Sequence, residues 1–136
     1  MIKYVTPKKA EACAKDIFLW MKKHDLWWDT TIYINGKRYC SYNPGGAEKV
    51  YEWVNEFGET HRVWAQDADP CDYFEYCNKT AHFLSMTFEG TLYDILNFNL
   101  SLNYCQDRED ELRKIFKKYG YYYELGNAWN LSAYKL

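Results

Sequence analysis

The chain has 136 residues, a formal net charge of −2, and 48% apolar against 26% charged residues. That balance excludes a disordered chain and fits one compact domain spanning residues 1–136. No apolar run approaches the ~20 residues of a membrane span, and the positively charged start from Met1 to Lys9 has no hydrophobic stretch behind it, so neither a membrane anchor nor a secretory signal is expected.

The first predicted element is a helix from Pro7 to His24. Thr6 can cap it and Pro7 suits its first position, where the missing N–H costs nothing. Ala10, Cys13, Ala14, Ile17, Phe18 and Met21 recur at the three-four spacing of a buried face, with Ile17 and Phe18 at its centre. Thr30 to Ile34 and Lys37 to Tyr42 flank Asn35-Gly36, the residues of a type I′ turn, and predict a hairpin. Asn43-Pro44-Gly45-Gly46 then breaks the strand. From Ala47 to Phe57 the spacing favours a helix through Ala47, Val50, Tyr51, Val54 and Phe57, although Tyr51, Trp53 and Phe57 also tolerate a strand. Thr60 to Gln66 reads as a short strand, and Asp67 to Asp72 as an acidic loop.

Thr80 to Glu89 reads as a strand with His82, Leu84, Met86 and Phe88 on one side, and Leu92 to Phe98 as a short helix. Asp107 and Asp110 resemble a capping box for a helix buried through Leu112, Ile115, Phe116 and Tyr119 and stopped by Gly120. Tyr121 to Leu125 and Trp129 to Lys135 predict a second hairpin around Gly126-Asn127-Ala128. The fold class that follows is α+β: a small antiparallel sheet built from hairpins, packed against helices on one face.

The chemistry-bearing residues are sparse. Neither a phosphate-binding glycine loop nor Gly-x-Ser-x-Gly nor His-Glu-x-x-His occurs. Cys71, Cys77 and His82 lack the Cys-x-x-Cys knuckle, and Cys40, Cys105, His24 or His61 would have to complete a zinc site by accident of the fold. Asp67, Asp69, Asp72 and Glu75 lack the glycine of a calcium loop. No metal and no cofactor is therefore expected. His61 and His82 are candidates for acid–base work by residue type alone, and a structural role is the preferred reading of His82. Five cysteines, an odd number, read as free thiols in a reducing, cytoplasmic setting.

Charge is segregated along the chain: residues 1–39 hold eight bases against four acids, residues 40–75 two bases against eight acids, and the remainder seven of each. Within the acidic segment Asp67, Asp69, Asp72 and Glu75 surround Tyr73, Phe74 and Tyr76. Rings that bury large area beside steering carboxylates suit a protein interface. The leading functional expectation is accordingly a non-catalytic protein-interaction domain, an inhibitor or regulator, binding a protein partner with a basic surface through these seven residues. Two rivals stand beside it. One is a small hydrolase or transferase whose site is assembled from distant segments. The other is a nucleic-acid-associated protein using Lys22, Lys23, Lys37 and Arg38, with Lys114, Lys117 and Lys118 as a second patch; it is the weaker reading because the chain is slightly acidic overall.

Overall fold

A computed structural model of the chain describes residues 8–34, 37–42, 49–67 and 84–136. Helix α1 (Lys8–Lys23) leads into the hairpin β1 (Thr30–Ile34) and β2 (Lys37–Cys40). A second hairpin follows, β3 (Lys49–Val54) and β4 (Thr60–Asp67), and then β5 (Ser85–Phe88). Helices α2 (Thr91–Leu96) and α3 (Leu102–Lys118) precede the last hairpin, β6 (Tyr121–Asn127) and β7 (Asn130–Lys135). Among the described residues all the strand pairs are antiparallel and form one seven-stranded sheet in the order β3-β4-β2-β1-β5-β7-β6. The α+β architecture with helices against a sheet is thus the one the sequence predicts.

Strand alternation gives the sheet two different faces. Ile32, Tyr39, Ala65, Met86 and Leu131 lie in register across five strands and join the helix-side core. Ile17, Phe18 and Met21 of α1, Leu92 and Ile95 of α2, and Leu112 and Phe116 of α3 meet them there, all fully buried. Phe18 is the pivot. Trp27 and Trp53 pack edge-on to its ring at centroid distances of 5.0 and 4.9 Å, and Trp53 leans on Tyr39 at 5.4 Å. Much of the aromatic excess is therefore core.

The outer face carries two cross-strand rows of a different kind. One runs Trp64, Cys40, Thr31, Thr87, Asn130 and the other Gln66, Arg38, Tyr33, Ser85, Ser132, Glu124. At the centre of these rows Thr31, Ser85, Asn130 and Ser132 are buried although polar.

Three local expectations need correction. Ala47 to Phe57 is not a helix: its described part is strand β3 followed by a turn, because pairing with β4 over six residues, from Lys49↔Ala65 to Val54↔Thr60, outweighs a helical spacing that had no cap at either end. Asp107 does not cap a helix either. The helix starts five residues earlier, after Ser101, whose carbonyl accepts from Cys105 N at 3.0 Å, and Asp107 is an exposed interior residue. The last hairpin turns at Ala128-Trp129 rather than Gly126, since Asn127 still pairs with Asn130 across a register shift. Gly120 does end α3, at φ 82°. Pro7 and the Asn35-Gly36 turn lie outside the described residues.

Candidate functional site

The most developed surface feature is a cleft between α1, α3 and the tip of the β3–β4 hairpin, with a volume of about 660 Å³. It begins with one side chain. Asn55 Oδ1 accepts from the backbone N–H of Phe57 (3.0 Å) and of Glu59 (2.9 Å). Its Nδ2 donates to Glu59 Oε1 at 3.3 Å and lies 3.4 Å from His61 Nε2. Backbone bonds from Asn55 N to Glu59 O (2.9 Å) and from Gly58 N to Asn55 O (3.1 Å) close the same turn. Gly58 takes φ +77°, which a side chain would resist. The turn is thereby tied by four bonds to its backbone N–H groups, at Asn55, Phe57, Gly58 and Glu59, and it displays Phe57 at its tip with 78% of the residue exposed.

Across from Phe57, Leu19 and Trp20 of α1 and Ile115 of α3 supply an apolar floor, and His61 adds a half-buried ring that packs against Phe18 at 6.3 Å. The walls differ in sign. Lys22 and Lys23 end α1 on one side; Glu56 and Glu59 sit on the hairpin opposite. At the far end Lys118 Nζ contacts Asp16 Oδ2 at 3.2 Å, and the Tyr119 hydroxyl donates to the same oxygen. Burial and then that hydrogen bond hold the Tyr119 phenol above its usual range, while the Lys118 ammonium is held up chiefly by its bond to Asp16.

A second network ties α1 to α3 behind the floor. Glu111 accepts from Trp20 Nε1 (3.0 Å) and from Arg108 Nη2 (3.1 Å). Arg108 Nη1 stands 3.2 Å from His24 Nδ1. A guanidinium can only donate, so Nδ1 accepts and the proton of a neutral imidazole sits on Nε2, 3.4 Å from Glu111 Oε1. Burial first, and the Arg108 charge second, accordingly lower the His24 pKa. This histidine is a positioned structural group.

Of the seven residues expected to form an interface, Asp67 is exposed at the end of β4 and ion-paired with Lys37 at 2.6 Å. Asp69, Asp72, Tyr73, Phe74, Glu75 and Tyr76 lie outside the described residues, as do Cys71, Cys77 and His82. The basic candidates are dispersed. Lys22, Lys23 and Lys118 line the cleft, and Lys114 and Lys117 are exposed on α3. Arg38 lies over the Tyr33 ring at 5.8 Å on the outer face of the sheet. Cys40 is on that outer face and Cys105 on α3, both buried, so the fold does not bring these two thiols together. Among the described residues no group of three or more His, Cys, Asp or Glu is placed to hold a metal ion.

A polar pocket of about 300 Å³ on the outer face has Thr31, Cys40 and Thr87 in its floor. Burial pushes the Cys40 thiol up and outweighs the Thr31 hydroxyl, which donates to Sγ at 3.8 Å, and the Arg38 charge, both of which favour the thiolate. Cys13, under the sheet, is pushed up to about 12 by burial and then by Asp16. Neither thiol is prepared for nucleophilic attack.

Sequence reading missed Phe57 and the turn that carries it. The signal was present in Asn55-Glu56-Phe57-Gly58, where an asparagine that can bond its own backbone stands three residues before a glycine. No described helix is long and apolar enough to cross a membrane. No protein-family model, curated protein or solved structure matches the chain.

Proposed function

We propose that the chain is a non-catalytic protein-interaction domain, and that its docking surface is the cleft between α1, α3 and the β3–β4 hairpin. The observation that carries this reading is Phe57, 78% exposed on a turn fixed by Asn55. A large ring exposed on a backbone turn that is already ordered gains much buried area when a partner covers it and costs no loop ordering, which suits an interface anchor. It does not close the cleft over a small molecule; a protein surface large enough to cover ring and floor together accounts for both. The occupant that fits is an amphipathic helix of a partner protein. Its apolar strip would lie on Leu19, Trp20 and Ile115, with acidic side chains towards Lys22 and Lys23 and basic ones towards Glu56 and Glu59.

The basic surface expected of the partner survives in this reading as one flank of that helix. The nucleic-acid alternative draws less support, because its lysines are dispersed and the cleft mixes both signs of charge. The enzyme alternative draws less support from thiols whose burial disfavours the thiolate.

A photo-crosslinking residue at position 57, in protein expressed in its native cells, tests the reading. A partner captured there, and not from the exposed Leu102 position, is the expected result. Phe57→Ala should weaken binding of that partner by about 30-fold or more, the size of a ≥2 kcal/mol anchor, while leaving stability within about 0.5 kcal/mol. Equal capture from both positions would overturn it.

A further inference from the structure

The two rims of the cleft between α1, α3 and the β3–β4 hairpin match each other. On the α1 rim Leu19 is half-buried beside Trp20, and Lys22 and Lys23 follow, both exposed. On the hairpin rim Phe57 is 78% exposed, with Glu56 before it and Glu59 after it, both exposed. One rim is therefore apolar and basic, the other aromatic and acidic. A ring suits the first and carboxylates suit its lysines, so each rim is the counterpart of the other.

One chain cannot bring its own rims together. They stand on opposite walls of about 660 Å³ of space, and each wall is fixed from behind. The hairpin turn is held by Asn55 Oδ1, which accepts from Phe57 N at 3.0 Å and from Glu59 N at 2.9 Å. The α1 wall is held by Ile17 and Phe18, both fully buried, and by Trp20 Nε1, which donates to Glu111 of α3 at 3.0 Å. At the far end Lys118 and Asp16 already pair with one another at 3.2 Å, so the charge contrast lies between the two rims.

We propose that two copies of this chain close each other's clefts about a two-fold axis running along the cleft, with the Phe57 turn of each copy packed on Leu19 and Trp20 of the other. A second copy is the occupant because both counterparts lie on one surface. Rotation about such an axis exchanges the rims, and the acidic hairpin of each copy then faces the basic end of the other copy's α1. Every contact occurs twice, and the interface is isologous, so it closes as a dimer. It is small and built on one ring from each copy, so the association is weak and concentration-dependent. The inference rests on reading this cleft as a docking surface, and it adds the regulation of that surface. Partner helix and second copy compete for the same ground, so self-association masks the free protein and a bound partner dissociates the dimer.

Sedimentation of the full chain over a range of concentrations is the test, with two charge-reversed variants at exposed positions. Lys22→Glu with Lys23→Glu makes both rims acidic, and Glu56→Lys with Glu59→Lys makes both basic. Each variant alone should dimerise at least about tenfold more weakly than wild type, and an equimolar mixture of the two should regain wild-type association as a heterodimer, because acidic rims then meet basic ones. Phe57→Ala should also weaken the dimer at least about tenfold while leaving the urea midpoint unchanged. A wild type that stays monomeric at every concentration overturns the proposal, as does a dimer indifferent to Phe57→Ala or a mixture no stronger than its separate components. Capture from cells at position 57 separates this inference from the docking role. A different protein captured there, with a wild type that never dimerises, refutes the second copy alone. Capture of only this same chain supports the second copy and refutes a separate partner.

Discussion

The two faces of the sheet are equally hidden at their centres and differently made. On the helix side Ile32, Met86 and Leu131 stand in register and are fully buried. One residue along each strand, on the outer side, Tyr33, Ser85 and Ser132 are in register and nearly as inaccessible, with 3% exposure at Ser85 and 2% at Ser132. Burial is thus not the same thing as stabilisation. The apolar row contributes roughly 25 cal/mol for each Å² removed from water. Small hydroxyls contribute little of that, and the outer face even leaves Ser132 Oγ and Asn130 Nδ2 without a hydrogen-bond partner among the described residues. The helix-side face holds the domain together; the outer face is held by it.

The comparison is broken most directly at Phe18. Phe18→Ala removes a fully buried ring on which Trp27 and Trp53 both pack, and it should cost roughly 3–5 kcal/mol because transfer and cavity contributions add. The urea midpoint reads it, and an unchanged midpoint would mean that α1 does not dock through this ring.

A smaller effect sharpens the account of the helix layer. The folded-state pKa of His24 is lowered, so between that value and the unfolded value of about 6.5 the unfolded chain binds more protons than the folded one. Stability contributed by the neutral ring is therefore intact above about pH 6.5. It is lost as pH falls through 6.5 and levels off below the folded value. His24→Gln should flatten that part of the stability profile. An identical slope from about pH 7.5 to about pH 5 in both proteins would remove His24 from the α1–α3 network.

The smallest effect belongs to the outer face. Ser132→Ala deletes a buried hydroxyl with no hydrogen-bond partner among the described residues, and it should be neutral within about 0.5 kcal/mol or slightly stabilising. A loss of about 1 kcal/mol or more at the denaturation midpoint would mean that the outer row carries more of the fold than its composition implies.

How much of this could be read from residues alone varies by element. α1 was legible because its apolar stripe runs from Ala10 to Met21 and Lys22 and Lys23 fall in its last turn. The strands of the β1–β2 and β6–β7 hairpins were legible from alternation, although the second turn falls at Ala128-Trp129. β3 was not, because Val50, Tyr51 and Val54 fit both periods and what decides between them is pairing with β4. The start of α3 was displaced for a related reason: two aspartates that look like a cap lie on an exposed helical face, and the true start at Ser101 has no side-chain cap bond. The candidate cleft was illegible as a unit. Trp20, Asn55, Phe57 and Ile115 are spread across the chain and are gathered only by the docking of α1 and α3 beside the β3–β4 hairpin.

The strand order also carries a consequence for how the chain finds this structure. Three of the six pairings join strands that are neighbours in sequence, so half of the pairings among the described residues are local hairpins. β1 with β5 is different: Thr30 meets Phe88 and Tyr33 meets Ser85 across more than fifty intervening residues. Closing a loop costs about 0.6 kcal/mol for each doubling of its length, so that seam costs roughly 2–3 kcal/mol more in chain entropy than the two-residue link of β1 with β2. The pairing of β5 with β7 is nearly as long-range, with Ser85 meeting Ser132 across more than forty intervening residues, so β5 is tied to both of its neighbours by distant contacts. By contact order, the two pairings of β5 are expected to form after the local hairpins.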